Sequence, residues 1–557
     1  MADAPVGPLT HRRPRAGTRR LVLPGLALGL LLIGLLAGSG MAWSPMGGGK
    51  KSPSAAAGNA PWSAEPRTPG PSAGEPTQAA PTAVPSPRGA PRAGKTAPQP
   101  RLGTNQALPF DLPTAAVLRT SKHLVFSHYF TPYPLSLDNQ PAGQDYYSRN
   151  YLTAQGENGK HARYGGLLRD RPLPVEPQGG DWQLANLRRE VRTARDAGID
   201  GFSVDILSLS GPNWDRVNLL LKAAASEDPG FRIMLMPDMT SLHTDPSTLA
   251  DALAGLAKSP SAHRLADGRL VVSPFKAEAH DPGWWSQMTT RLAQRYRIGT
   301  ALVPLFLNFP ANAERFAPIS YGFSEWGNRS YTGQAGATAD TALAHRLGKA
   351  WMQPVSVQDT RPNQGVYDEA GNTATLRTTW GHAIDDGADW VQLTTWNDYS
   401  EGSQFAPSAH NGHAYLDLAS YYLSRFKTGK WPRIVRDTVY LTSRVQFSAT
   451  TPSPGAEKLL MSPRDGTAPP RDAVEALTFL TAPATLDTVV GTDRQSHPVP
   501  AGVRPTLVPL HTGWSSAVVR RDGRQVAEVA ARHPAESRVD VQDLQYYAAT
   551  SGRPGAP

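Results

Sequence analysis

The sequence predicts an α/β fold: a (β/α)8 TIM barrel followed by a C-terminal β-sandwich, behind an N-terminal apolar segment and a disordered linker. Three observations predict it. Between residues 118 and 429, eight short apolar runs alternate with segments of helical period, as a parallel sheet covered on both faces requires. From 430 to 557 only strand-like runs remain, parted by turn residues. Before residue 118 neither pattern is found. At 557 residues the chain is also too long for one ordinary core.

The first element is a basic stub, HRRPRAGTRR (residues 11–20), followed by the uncharged run Leu21–Trp43. That run is long enough to cross roughly 30 Å of hydrocarbon as a helix. Arginines ahead of it hold the N-terminus in the cytoplasm and send the rest outside. Small residues near SGMA suit a signal peptidase, so residues 1–43 are a membrane anchor or a cleaved signal, the length favouring the anchor. Ser44–Pro113 holds 15 prolines in 70 residues amid Ala, Gly, Ser and Thr. Such a segment buries too little surface to offset its ordering entropy, and residues 44–117 are expected to be a linker.

Charge follows the same division. The net +9 resides in residues 1–107, which carry 12 basic and 3 acidic residues and leave 44 of each in the remainder. A basic nucleic-acid footprint on the folded part is therefore not supported. There is no cysteine, so an exported chain of this kind is held by its core rather than by disulfides.

The barrel strands are expected at HLVFSHYF (123–130), IDGFSVDIL (199–207), FRIMLMPDM (231–239), GRLVVSPF (268–275), ALVPLFLNF (301–309), ISYGFSEW (319–326), WMQPVSVQD (351–359) and DWVQLTTW (389–396). Helical segments separate most of them, and HAYLDLASYYLSRFKTG closes the unit near Gly429. No Gly-rich phosphate loop follows the first strand, which weighs against a nucleotide-binding open sheet.

Barrel enzymes carry their chemistry where strands end, and these ends are polar. They offer His128 and Tyr129, Asp205, Asp238, Asn308, Glu325 and Trp326, Gln358 and Asp359, and finally Trp396, Asn397, Asp398 and Glu401. A single acid at such a place is usually a helix cap. Acids and aromatics converging on one rim suit glycoside hydrolysis instead, where one acid protonates the leaving oxygen and one base activates water.

Residues 430–557 contain DTVYLTSRVQF, EALTFLTAPATLDTVVG, TLVPLHTGWSSAVVRRDGRQVAEVAA and SRVDVQDLQYYAATSG. RRDGRQ carries the Asp-Gly of a tight hairpin turn. The sandwich is either a companion that packs on the barrel or a carbohydrate-binding module; no clear aromatic platform points to the second.

VFSHYF, ARDAGIDGFSVDI, FRIMLMPDM, DGRLVVSPF and TTWNDYSEG occur in this order, and together they resemble glycoside hydrolase family 71, the α-1,3-glucanases or mutanases. The likeness spans roughly 123–430, and Trp-Asn-Asp-Tyr-x-Glu is its most specific piece. It implies internal cleavage of α-1,3-glucan with inversion, without metal or cofactor; the composition, rich in Ala, Arg, Gly and Pro, suggests a bacterial source, and a monomer is expected. The resemblance places the acid pair on Asp398 and Glu401. Glu401 is assigned as general acid, because its longer side chain reaches the glycosidic oxygen, and Asp398 as base. An inverting pair stands roughly 6.5–9.5 Å apart. Trp396 and Tyr129 are expected to stack on sugars. His128, Asp205, Asp238 and Asn397 are expected to bind hydroxyls or hold the pair, with Glu325, Trp326, Gln358 and Asp359 also lining the site. The segments GFSEWGNRS and PVSVQDTRPNQG depart from the family pattern and bear on linkage specificity. An endo-α-mannanase-like family 99 enzyme and a non-catalytic polysaccharide-binding envelope protein are the competing classes.

Overall fold

The computed structural model of the protein describes residues 108–553. The expected basic stub, the apolar run 21–43 and most of the linker lie outside the described residues. Among the described residues no helix is long and apolar enough to cross a membrane. The last ten residues of the expected linker are folded: Phe110 is buried, bridges to Ile434 and meets Tyr421 edge-on at 5.2 Å. Thr114 caps a short helix, Ala115–Leu118, whose Leu118 is buried. The partners of this segment come from far along the chain, so local composition does not announce it.

Eight strand-like segments appear where the periodicity places them. They are β1 (Leu124–Tyr129), β2 (Gly201–Ile206), β3 (Arg232–Pro237), β4 (Leu270–Val272), β5 (Thr300–Leu302) with β6 (Leu305–Phe306), β7 (Gly322–Glu325), β8 (Ala350–Ser356) and, after two short strands β9 (Asp359–Arg361) and β10 (Val366–Asp368), β11 (Trp390–Thr394). One sheet runs β5-β4-β3-β2-β1-β11-β8-β7-β6, and each neighbouring pair is parallel. Its two ends, β5 and β6, are consecutive pieces of one expected strand, interrupted at Val303-Pro304 because proline has no N–H to donate. On one side Val303 and Leu305 donate to the carbonyls of Val272 and Pro274; on the other Tyr321 and Ser324 donate to those of Leu302 and Pro304. The sheet is therefore barrel-like.

Side-chain alternation divides each strand between two cores. Phe126, Met234, Val271, Ala301, Met352 and Trp390 pack together inside. Val125, Phe202, Val204, Leu235, Val355 and Leu393 face outward to the helices. Three of the helices start at aspartate caps: Asp181 accepts from Leu184 N, Asp245 from Ser247 and Thr248 N, and Asp281 from Trp284 N. Asn308, a candidate by its place at a strand end, caps the helix Phe309–Phe316, which the sequence reading passed over.

The C-terminal part has β12 (Thr438–Ser443), β13 (Ser462–Pro463), β14 (Ala473–Leu480), β15 (Ala484–Val490), β16 (Asp493–Val499), β17 (Gly502–Pro509), β18 (Ser515–Arg521), β19 (Arg524–Ala530) and β20 (Tyr547–Thr550). Two four-stranded antiparallel sheets form, β17-β14-β12-β20 and β16-β15-β18-β19. The expected hairpin joins β18 to β19 through Asp522 and Gly523, at φ 50° and 74°. The polar β16 gave no apolar signal. Val439, Leu441 and Val474 meet Leu486, Val519 and Val529 between the two sheets. Tyr440, Leu477, Phe479 and Ala548 point the other way, into the core between the parallel sheet and its helices. Strands β12, β14 and β20 of the first sheet are buried on both faces, whereas the edge strand β17 is largely exposed. A third small sheet, β13-β10-β9, adds a strand of the C-terminal part to the loop after β8.

Candidate active site

The alternation decides which candidates share the inner face at the strand ends. His128, Asp205 and Asp238 follow the inward residues of β1, β2 and β3. The His128 Nε2 lies 3.7 Å from Asp205 Oδ2, and Trp326 meets the His128 ring edge-on at 5.1 Å. Burial, with Arg329 nearby, lowers the His128 pKa to about 3, so its imidazole is neutral. Asp205 has an unpartnered Oδ1. Burial and the neighbouring charges of Asp238, Asp398 and Glu401 raise its pKa well above the usual range, which places these four carboxyls in one electrostatic neighbourhood. Asp238 is raised by burial, while Thr240 N and Oγ1 donate to its Oδ1 at 2.7 and 2.6 Å.

The loop after β11 carries Asp398 and Glu401. Asp398 Oδ1 accepts from Ser400 N and Oγ at 3.0 and 2.6 Å. Burial raises its pKa against the pull of these donors and of Arg361. Glu401 retains 15% of its side-chain surface, and its Oε1 lies 2.7 Å from Arg361 Nη1. That contact is not aligned as a hydrogen bond, and Glu401 Oε2 and Arg361 Nη1 remain without hydrogen-bond partners. Burial, abetted by Asp398 and Asp359 and opposed by Arg361 and Arg329, pushes Glu401 up to about 8. The motif's Gly402, at φ 62°, lets the chain pass beneath the C-terminal part. A Cβ there would lie 2.5 Å from Gln545 Nε2 and 2.7 Å from Thr360 Oγ1.

The remaining candidates are placed differently. Tyr129 and Trp396 face the helices: the Tyr129 hydroxyl donates to Glu190 Oε2 at 2.9 Å and the Trp396 indole to Oε1 at 3.3 Å. Both rings are buried there, so neither presents a face for stacking on a sugar. Asn397 uses its whole amide on the loop after β1, accepting from Phe130 N and donating to the carbonyls of Phe130 and Tyr133. It holds the pair's loop rather than a hydroxyl. Gln358 exchanges two hydrogen bonds with the backbone of Tyr546. Glu325 accepts from Phe309 N, and burial with Asp340 and Glu278 nearby pushes it up to about 7. Asp359 forms a two-pronged pair with Arg361 at 2.7 and 2.6 Å, which holds its pKa well below the usual range although burial opposes this.

Sequence reasoning passed over Arg329, Arg361 and Glu190. Arg361 had a readable signal: two residues beyond Asp359 on an extended strand, it shares a face with that acid. Arg329, whose guanidinium carbon lies 4.8 Å from the Trp326 ring centre, had none.

The sequence profile of glycosyl hydrolase family 71 matches residues 178–553, a span that contains the acid loop, Arg361 and most of both layers. The chain belongs to glycosyl hydrolase family 71. This family 71 glycoside hydrolase is 25% identical over 381 residues to a mutanase of Penicillium rubens, a match covering 62% of the chain and 80% of the relative. It is 24% identical over 380 residues to a glucan endo-1,3-alpha-glucosidase of Schizosaccharomyces pombe, covering 62% and 86%. Among solved structures, a GH99 endo-alpha-mannosidase from Bacteroides thetaiotaomicron aligns at 16% identity with a TM-score of 0.44, over 55% of this chain and 98% of that one.

Proposed function

We propose that this enzyme cleaves internal linkages of an extracellular α-1,3-glucan with inversion, using Glu401 as general acid and Asp398 as general base. The observation that carries the reading is the setting of Glu401: its Oε1 lies 2.7 Å from Arg361 Nη1, its Oε2 has no hydrogen-bond partner, and 15% of its side-chain surface stays exposed, while burial raises its pKa to about 8. Such a group is poised to protonate a leaving oxygen at neutral pH. Asp398 takes a proton from water as the water oxygen bonds to the anomeric carbon. The bond from that carbon to the glycosidic oxygen breaks, and the oxygen receives the Glu401 proton. Asp398 then releases its proton and Glu401 regains one from solvent. Ser400 and Arg361 favour the charged Asp398 that this step needs.

Neutral His128, Asp205, Asp238 and Trp326 supply hydroxyl-binding groups and an aromatic surface beside the acids. The linkage is taken from the mutanase and glucan endo-1,3-alpha-glucosidase relatives. With β5 and β6 counted as one strand, the framework agrees with a (β/α)8 barrel. Residues 1–43 would hold the enzyme at the outer face of the membrane or direct its secretion, and it would act as a monomer. The test is NMR of the first products from α-1,3-glucan, beside a panel of other α-glucans and α-mannans. β-Anomers from α-1,3-glucan are expected. Early α-anomers overturn inversion, and turnover confined to mannan overturns the substrate.

A further inference from the structure

The C-terminal part meets the barrel at the loop after β8, which lies against Glu401. Thr360 N donates to the Glu401 carbonyl at 2.7 Å. Residue for residue, that loop is tied to the second layer. Glu369 pairs with Arg444 at 2.7 Å and accepts from the Tyr546 hydroxyl at 2.7 Å. Asn372 donates to the carbonyls of Thr442 and Ala473. Strand β13 adds to β10 in parallel register, and Arg464 N, just beyond β13, donates to the Tyr367 carbonyl at 2.9 Å.

This attachment brings a cation to the acids. The Arg464 guanidinium lies 3.2 Å from Asp368 Oδ2 and 3.6 Å from Asp359 Oδ1. Neither contact is aligned as a hydrogen bond, so both act as charge contacts. Asp359 in turn grips Arg361 on two prongs, and Arg361 reaches Glu401 at 2.7 Å. The charges therefore alternate without a break: Asp368, Arg464, Asp359, Arg361, Glu401. Arg464 touches none of the groups assigned to chemistry.

We infer that Arg464, supplied by the C-terminal part, is a positioning residue for the acid: it shares Asp359, so that Arg361 remains divided between Asp359 and Glu401. The inference rests on Glu401 being the general acid. It makes the second layer a component of the active centre as well as a packing companion. Without Arg464, the charge on Asp359 would be less compensated and would draw Arg361 more firmly away from Glu401. Both changes make Glu401 hold its proton more tightly. The other charged groups that face Glu401 are Asp398, Arg329 and Asp205, and none of them is removed by changing Arg464.

The experiment is the pH profile of kcat/KM for the full chain and for Arg464→Ala, Arg464→Lys and Asp368→Asn. In Arg464→Ala the alkaline limb should move upward by about half a pH unit, with kcat falling several-fold and KM nearly constant. Arg464→Lys keeps the charge and should restore the limb. Asp368→Asn removes a negative charge and leaves Arg464 to Asp359 alone, so the limb should move downward. This opposite sign keeps the test open where Arg464→Ala fails to fold. A limb that stays in place in Asp368→Asn and in folded Arg464→Ala, while Glu401→Gln is inactive, overturns the positioning role and leaves the acid assignment standing. A limb still present in an active Glu401→Gln enzyme overturns the acid assignment instead.

Discussion

Glu190 and Glu401 are both buried carboxyls, and burial pushes both up to about 8. They lie on opposite sides of the same sheet. Glu190, on the helix Trp182–Asp196, faces the outer layer and is satisfied there: one oxygen accepts from Tyr129, the other from Trp396. Glu401, on the inner side, has a cation against one oxygen and nothing bonded to the other. A raised proton affinity therefore does not distinguish a reactive carboxyl from a structural one. What separates the two is bonding capacity: both oxygens of Glu190 accept hydrogen bonds, while Glu401 Oε2 has no partner.

Substitution gives the largest contrast. Glu401→Gln and Asp398→Asn should each cut turnover by a factor of about 10² or more while the thermal midpoint moves little. Steady-state rates on α-1,3-glucan with a melting curve check both halves. If both variants retain more than about a tenth of the wild-type rate, the pair lies elsewhere.

The pH profile sharpens the comparison next. As the proposed general acid, Glu401 must be protonated to act, so activity should fall as pH rises through about 8. Asp398 must be charged, and its pKa is raised by burial. Activity should therefore also fall with acid, beginning above the ordinary aspartate range. Each limb costs roughly tenfold per pH unit. An alkaline limb that persists unchanged in Glu401→Gln would belong to another group.

Glu190 should show the reverse pattern and the smallest effect on rate. Glu190→Ala leaves the Tyr129 hydroxyl and the Trp396 indole N–H buried without an acceptor, at a cost of about 2 kcal/mol of stability. Turnover should stay within a few-fold of wild type. Denaturant unfolding beside steady-state kinetics tests this, and a hundredfold rate loss in a stable variant would make Glu190 part of the site.

The candidates at the strand ends were legible as types and in order, because polar residues terminating apolar runs stand out. Which side of the sheet they occupy was less so. His128 and Tyr129 are adjacent and equally polar at the tip of β1, yet one enters the carboxyl cluster and the other packs under a helix. A register of one residue makes that difference. Trp396 suffered the same ambiguity, since an indole suits a sugar face and a buried hydrogen bond equally well.

From the sequence alone came the alternation of eight strand-like runs with helices, the all-β C-terminal part, the Asp-Gly hairpin and the motif that carries Asp398 and Glu401. These are local properties: periodicity, turn chemistry and spacing act over a few residues and are written in order. Only the tertiary structure brought Arg329, Arg361 and Arg464 to the acids, buried Phe110 beside Tyr421 and covered both faces of β12, β14 and β20. Those arrangements join residues remote in sequence, and a charge or ring in isolation does not show which distant partner will compensate it. The proton affinity of Glu401 belongs to the second kind, because it depends on burial and on neighbours contributed by separate strands.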